Sequence, residues 1–273
     1  MMMKSSVIRR VACTLALSLL AATAQAQTTA TQKPFEPQVG QAGKDVVWVP
    51  TPQALVNKML EMARVTPQDF LMDLGSGDGR TVITAAKQGV RAMGVEYNPE
   101  MVELSKRNAA AAGVADKATF VQADLFETDL SKANVITMFL LPQINMKLRP
   151  TILNLKPGTR IVSNTFTMED WEADETETVT ADDCTSWCTA LLWIVPAKVE
   201  GTWSTPQGSL TLKQQFQMLS GTLGTQPIAD GRLRGNEITF TAGGVKYTGR
   251  VDGNQMKGTS TGGKAVQWTA TRK

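Results

Sequence analysis

Histidine is absent from this 273-residue chain, and cysteine occurs only three times. Without histidine, the chain lacks the side chain that most often acts as a general base near neutral pH. A metal site is not expected either, because Cys184 and Cys188 alone are too few ligands for zinc. The spacing of these two cysteines allows either a local disulfide in an oxidising compartment or two buried thiols.

Long apolar runs are also scarce, and the clearest one lies close to the first residue. Lys4, Arg9 and Arg10 precede an apolar stretch over residues 11–22, and Ala24-Gln25-Ala26 follows it as a small-residue cleavage signal. This layout is typical of a secretory signal peptide and is too short for a membrane-spanning helix. We predict cleavage after Ala26, and a periplasmic or secreted mature protein without a transmembrane segment.

The formal net charge of the chain is +3, and the predicted signal peptide accounts for all of it. Residues 27–273 are therefore neutral overall and contain no obvious basic run. Proteins that bind nucleic acid usually carry a basic patch that neutralises phosphates. We therefore expect no nucleic-acid partner.

The composition divides the rest of the chain into three parts. Residues 27–46 are rich in Thr, Gln, Ala and Pro without periodicity, which predicts a flexible arm. Residues 47–197 alternate short apolar strands with helical segments, which predicts a doubly wound α/β fold with a seven-stranded sheet. Gly, Thr and alternating apolar residues over 198–273 predict an antiparallel meander, either a barrel or a half-barrel.

The most informative motif is Asp73-Leu74-Gly75-Ser76-Gly77-Asp78-Gly79-Arg80. It lies between a short apolar strand and the start of a helix, where glycines allow a sharp turn and free N–H groups face a ligand. A dinucleotide-binding fingerprint would require a glycine at the position of Arg80. The alternative interpretation is a tight connection that binds no ligand.

Acidic residues end three successive predicted strands, at Asp73, Glu96 and Asp124. The carboxyl ends of parallel strands lie along one edge of a sheet, and open α/β folds bind their ligands there. Glu96 stands where such a fold requires an acid to accept hydrogen bonds from ribose hydroxyls. The sequence therefore predicts that the three acids share one nucleoside-binding site.

Several segments occur in the same order as in one group of class I S-adenosylmethionine-dependent methyltransferases. They are Val49-Pro50-Thr51-Pro52, the glycine motif, Gly94-Val95-Glu96-Tyr97-Asn98-Pro99, Asp124-Leu125-Phe126 and Phe139-Leu140-Leu141-Pro142. Over residues 46–197 the chain resembles the mitochondrial protein-lysine methyltransferases that act on the adenine nucleotide translocase and the ATP synthase c subunit. It is also similar to bacterial relatives whose domain ends in Trp-Ile-Val-Pro-Ala, here residues 193–197.

This resemblance implies a Rossmann-like domain that binds S-adenosylmethionine. It implies that Asp73 orders the glycine turn and contacts the cofactor's amino group, and that Glu96 binds the ribose. Asp124 and Leu125 would lie beside the adenine. The residues of the turn that would hold the methionine part are Gly75, Ser76, Gly77 and Gly79.

The resemblance also implies transfer of a methyl group to a protein, including its lysines, or to a small molecule. A sulfonium methyl group is already activated, so a chain without histidine is compatible with this reaction. The catalytic base stays unassigned, although Tyr97 or an acidic residue could assist an amine acceptor. The residues expected near the acceptor are Leu141, Pro142, Asn164, Phe166 and Trp171.

Two other functions are compatible with the sequence. An exported protein could retain the nucleoside pocket and bind S-adenosylmethionine without catalysing a reaction. Alternatively, residues 198–273 could present an interaction surface, with the α/β region as its scaffold.

Overall fold

The computed structural model of the protein describes residues 35–262 and 264–273. The predicted signal peptide and the first part of the predicted arm lie outside the described residues. The helices in the described part are α1 (Gln53–Met62), α2 (Arg80–Lys87), α3 (Pro99–Ala111) and α4 (Pro142–Ile152). None of these helices is long and apolar enough to cross a membrane.

The helices accompany a seven-stranded sheet with strand order β3-β2-β1-β4-β5-β7-β6. Strands β1 to β5 run parallel, whereas β7 runs antiparallel to both β5 and β6. The predicted doubly wound α/β fold is therefore confirmed. The strands are β1 (Phe70–Leu74), β2 (Arg91–Glu96), β3 (Ala118–Gln122), β4 (Val135–Met138), β5 (Arg160–Asn164), β6 (Glu175–Thr178) and β7 (Thr189–Ile194).

Both faces of this sheet are covered, because successive strand residues point to opposite sides. Leu71 belongs to a buried cluster that includes Leu55 of α1 and Val82 of α2. The next residue, Met72, belongs to a second cluster that includes Leu148 of α4. Strands that are buried on both faces read as continuous apolar runs, which is why they could be recognised in the sequence.

The strand order reverses between β1 and β4, which lie side by side at the centre of the sheet. The chain leaves β1 toward β2 on one side, and later enters β4 on the other side. A crevice forms where connections diverge in this way, and open α/β sheets bind ligands there. The glycine motif follows β1 directly, so the fold places it at this crevice.

Residues 201–272 form a closed eight-stranded antiparallel barrel. The predicted barrel or half-barrel is therefore a complete barrel. Aromatic rings fill part of its interior: Phe240 stacks on Tyr247 with ring centroids 4.7 Å apart, and Trp268 meets both rings edge-on. Its strands are β8 (Gly201–Thr205), β9 (Gly208–Gln215), β10 (Met218–Leu223), β11 (Gln226–Arg234), β12 (Glu237–Ala242), β13 (Val245–Asp252), β14 (Gln255–Thr261) and β15 (Ala265–Arg272).

The barrel is packed against the α/β region through an aromatic contact. Trp171 is fully buried and stacks on Phe216 of the barrel, with ring centroids 5.8 Å apart. Polar contacts surround it, including a 2.7 Å ion pair between Arg232 and Asp174 and a 2.8 Å hydrogen bond from Gln217 to the Glu172 carbonyl. The expectation that Trp171 lies near the acceptor is therefore wrong, since the ring belongs to this junction.

We expect Phe216→Ala to lower the free energy of unfolding by about 2 kcal/mol, because it removes a half-buried ring from the junction. Denaturant titration would measure this change. The matched control is Met218→Ala, since the Met218 side chain is 49% exposed and lies two residues away. We expect the control to change stability by less than about 0.5 kcal/mol. Equal effects of the two substitutions would contradict a stabilising junction.

Candidate functional site

A cavity of about 240 Å³ opens at the carboxyl edge of the sheet, at the crevice described above. Loops that follow β1, β2, β3 and β4 contribute to its wall. The structure therefore brings together most of the residues singled out in the sequence, including all three strand-end acids. The predicted site residues that line the cavity are Asp73, Gly75, Ser76, Gly77, Glu96, Asp124, Leu125, Leu141 and Phe166.

Two glycines of the motif are required for different reasons. Both have left-handed backbone conformations, with φ of 54° at Gly77 and 82° at Gly79. A Cβ atom on Gly77 would lie 2.6 Å from the indole nitrogen of Trp48, which lines the cavity. A Cβ atom on Gly79 would instead lie 2.7 Å from the ring of Phe120, in the protein core. Gly79 thus allows α2 to pack against β3 and does not line the cavity, contrary to its predicted role in cofactor binding.

Glu96 fixes the glycine turn from the end of β2. One carboxylate oxygen accepts a 2.9 Å hydrogen bond from the Gly77 amide, and the other accepts a 3.0 Å hydrogen bond from the Asn98 amide. Each oxygen of an ionised carboxylate can accept more than one hydrogen bond. Glu96 can therefore hold the turn and still accept hydrogen bonds from a ligand's hydroxyl groups.

Asp73 is the most strongly perturbed acid that the structure describes. Burial, assisted by the nearby charges of Asp78 and Glu96, raises the pKa of Asp73 from 3.8 to about 7. Hydrogen bonds from Thr137, at 2.6 Å, and from Thr81 act in the opposite direction. No described residue forms an ion pair with Asp73. A cationic group entering the cavity would thus meet an unpaired acid.

Ser76 provides an unsatisfied polar group in the cavity wall. Its hydroxyl is buried and has no hydrogen-bond partner among the described residues. Buried polar groups usually have partners, so an orphaned one in a cavity wall indicates a place for a ligand. The polar groups of the glycine turn therefore fit a small ligand that carries a cation and hydrogen-bonding groups.

Asp124 is paired, in contrast to Asp73. Its carboxylate accepts hydrogen bonds from Lys44, at 2.5 Å, and from the Phe126 amide, at 2.8 Å. These two hydrogen bonds, with that from Lys44 the stronger influence, lower the pKa of Asp124 below its usual value. The Lys44 ammonium also lies 4.4 Å from the centre of the Tyr97 ring.

Lys44 belongs to a short hairpin, residues 41–48, that forms one side of the cavity. Ala42 pairs with Val47, and the Trp48 amide donates a 2.9 Å hydrogen bond to the Gln41 carbonyl. The sequence predicted a flexible arm up to residue 46, but this part of it is folded against the site. The composition provided no signal for the hairpin, because its contacts are with residues far along the chain.

The remaining predicted acceptor residues divide into two groups. Leu141 lines the cavity, whereas its neighbour Pro142 starts α4 outside the cavity lining. Asn164 is fully buried outside the cavity lining, with its amide 3.4 Å from the Thr51 hydroxyl, so its contact with an acceptor stays a prediction.

Besides Trp48, two further aromatic residues that the sequence pattern did not assign to the site line the cavity. Phe139 follows β4, and Trp187 lies in the loop before β7. Trp187 is the residue before Cys188, which forms a disulfide with Cys184. Nothing in the sequence pattern placed this loop beside the end of β4, because the approach depends on tertiary packing.

Comparisons with known proteins agree with this geometry. The family model for the ANTKMT methyltransferase domain matches residues 73–175. A protein-lysine N-methyltransferase of Saccharolobus islandicus is 45% identical over 133 residues, which cover 48% of this chain and 83% of that protein. The chain therefore belongs to this group of class I S-adenosylmethionine-dependent methyltransferases.

Other relatives of this methyltransferase differ in their named acceptors. The mouse lysine N-methyltransferase of the ATP synthase c subunit is 35% identical over 130 residues, which span 47% of this chain and only 52% of the mouse protein. The crystal structure of an RNA methyltransferase from Salinibacter ruber, in complex with S-adenosyl-L-homocysteine, is 46% identical in sequence. That match covers 55% of this chain and 96% of the other, with a TM-score of 0.51.

We expect the raised pKa of Asp73 to make the ligand-free methyltransferase less stable as pH rises. The fold favours the neutral acid, so the penalty is absent below about pH 4 and complete above about pH 7. It amounts to at most roughly 4 kcal/mol. Asp73→Asn removes this ionisation, so its stability relative to the wild type should increase over that pH range in denaturant titrations.

The matched control for this measurement is Asp116→Asn, because the Asp116 side chain is 69% exposed and lies at the surface. Its stability difference from the wild type should change little over the same pH range. A difference between Asp73→Asn and the wild type that is constant with pH would contradict the raised pKa.

Proposed function

We propose that this methyltransferase binds S-adenosylmethionine in the cavity and transfers its methyl group to a lysine side chain of a protein. The observation that carries the cofactor assignment is the buried carboxyl group of Asp73, which lacks a cationic partner among the described residues. The amino group of S-adenosylmethionine is a cation of suitable size. Pairing with it would offset the cost of burying an ionised Asp73.

The rest of the cavity wall fits the other parts of this cofactor. The Ser76 hydroxyl, which is buried without a partner, would bind the amino-acid part. Glu96 retains acceptor capacity for the ribose hydroxyls while it holds the Gly77 amide. Asp124 and Leu125 line the cavity after β3, where the adenine would lie.

The proposed reaction places modest demands on the side chains. Bound S-adenosylmethionine supplies an activated methyl group, so the protein has to orient the acceptor and exclude water. The hairpin of residues 41–48 and the glycine turn both line the cavity. No catalytic base is assigned, because Asp73, Glu96 and Asp124 each hold structural hydrogen bonds within the protein.

The acceptor is inferred from the named relatives. The relatives from Saccharolobus islandicus and mouse are both named as lysine methyltransferases, and both are at least 35% identical to this chain. The Salinibacter ruber protein is named as an RNA methyltransferase instead. We favour lysine because the neutral charge of residues 27–273 offers little attraction for RNA phosphates. None of the comparisons supports a non-catalytic binding protein.

We expect isothermal titration calorimetry to detect saturable binding of S-adenosylmethionine to the wild type. Asp73→Asn should weaken this binding by roughly 30-fold or more, since it removes one partner of a buried, charge-assisted contact. The surface variant Asp116→Asn should bind as the wild type does. Wild-type affinity in Asp73→Asn would contradict the proposed position of the amino group.

A second experiment identifies the class of acceptor. The protein is incubated with S-adenosylmethionine labelled in the methyl group and with a cell extract treated with either ribonuclease or protease. We expect the label to appear in protein, to survive ribonuclease, and to be recovered as methyl-lysine after hydrolysis. Label in a ribonuclease-sensitive product would overturn the lysine proposal and favour RNA.

We also propose that the protein is exported. The first 26 residues have the composition of a signal peptide, although they lie outside the described residues. The disulfide between Cys184 and Cys188 adds support, because structural disulfides are rare in reducing compartments. Mass spectrometry of fractionated cells tests the proposal, with a chain starting at Gln27 outside the cytoplasm as the expected result. An uncleaved chain in the cytoplasm would contradict it.

A further inference from the structure

We infer that Phe139, Phe166 and Trp187 form an aromatic channel for the alkylammonium side chain of the lysine acceptor. We further infer that the disulfide between Cys184 and Cys188 holds Trp187 in place as one wall of this channel. The inference rests on the proposed function, because it assumes that the cavity holds S-adenosylmethionine. It adds the residues that would select the acceptor.

The three rings form one contiguous group. The rings of Phe139 and Phe166 stack with centroids 5.7 Å apart and an interplanar angle of 19°. Trp187 meets Phe139 on another side, with centroids 6.1 Å apart and an angle of 58°. All three side chains line the same cavity as Asp73. Trp187 is also 45% exposed, so it lies where the cavity meets solvent.

The position of the two phenylalanines follows from the sheet. Strands β4 and β5 are parallel neighbours, with Met138 paired to Ser163. Phe139 and Phe166 follow the carboxyl ends of these two strands, so both rings lie at the edge where the cavity opens. The sheet thereby brings two of the three rings to the same edge.

The position of Trp187 depends on the loop that carries it and not on the sheet. Its backbone has φ of 55°, a conformation that bulky residues rarely adopt without support from surrounding structure. The disulfide closes the loop from Cys184 to Cys188, and the two Cα atoms lie 5.8 Å apart. Cys184 is buried in the core, and the Cys188 carbonyl accepts a 2.9 Å hydrogen bond from the Val179 amide. Both ends of the loop are therefore anchored, which restricts the position of Trp187.

The chemistry of these rings suits a lysine side chain. Aromatic faces attract ammonium groups, and the methylene stem of lysine gains from apolar surroundings.

The first test measures binding of a defined probe by NMR spectroscopy. The probe is Nα-acetyl-lysine methylamide, and its matched control is the norleucine derivative, which lacks the ammonium group. Trp187→Phe identifies the indole N–H signal of Trp187. We expect the lysine probe to shift this signal and the norleucine derivative to shift it much less. No shift, or equal shifts with both compounds, would overturn the channel.

The second test compares variants by their affinity for the same probe. Trp187→Ala should weaken probe binding roughly tenfold, and Trp187→Phe should largely restore it. The double variant Cys184→Ser/Cys188→Ser should also weaken it, although Trp187 is still present. The control Val266→Ala alters a residue that is 54% exposed on the barrel and should bind the probe normally. Wild-type affinity in Trp187→Ala or in the double cysteine variant would overturn the corresponding part of the inference.

Calorimetry with S-adenosylmethionine separates this inference from the proposed function. The Trp187 and cysteine variants should keep wild-type affinity for the cofactor, which also shows that they are folded. Loss of affinity for both the lysine probe and S-adenosylmethionine would mean that the loop supports the whole domain. This result would overturn its specific role in the channel. A wild type that binds the lysine probe but not S-adenosylmethionine would refute the proposed function and leave the channel standing.

Discussion

The candidate site is organised around one buried acid, Asp73. The parallel sheet places this carboxyl group at the end of its central strand, where the strand order reverses and solvent access is poor. Hydrogen bonds from two threonine hydroxyls offset the effect of burial only partly, so the pKa of Asp73 rises to about 7. Ionising a buried carboxyl group near other acids costs free energy unless a cation pairs with it. The domain therefore carries a built-in preference for a cationic ligand at this point.

The surrounding residues extend this arrangement into a complete pocket. Glu96 uses both carboxylate oxygens to hold the backbone of the glycine turn and of the next helix. Lys44 forms an ion pair with Asp124, whereas among the described residues Glu96 is held by backbone amides and Asp73 by threonine hydroxyls, and neither has a cationic partner. Asp73 differs from Glu96 in being buried with a raised pKa, and the proposed pairing with a cationic ligand rests on that difference.

The barrel contributes to the same region indirectly. Arg232 and Arg234 form ion pairs with Asp174 and Glu175, at the start of the edge strand β6. The other end of β6 leads into the loop that carries Trp187. Contacts from the barrel therefore stabilise the start of β6, and the end of β6 leads toward the cavity. This arrangement connects the α/β region and the barrel physically.

The sequence predicted those features that depend on local pattern. Apolar strands followed by Asp73 and Glu96 indicated a parallel sheet with acids at one edge, because strand direction and sheet edge follow from the alternation itself. The position of Trp187 could not be predicted in this way, since it depends on a loop folding across the end of another strand. Trp171 was misplaced for the same reason, because nothing in its local pattern indicated that the barrel would cover it.

The most direct test of this account is the number of protons released when S-adenosylmethionine binds. Calorimetric titrations at about pH 6.5, in buffers with different ionisation enthalpies, give this number. If the cofactor's amino group forms an ion pair with Asp73, binding should ionise the carboxyl group. The protein should then release a large fraction of one proton. Asp73→Asn should release essentially none. Binding by the wild type without proton release would contradict the account.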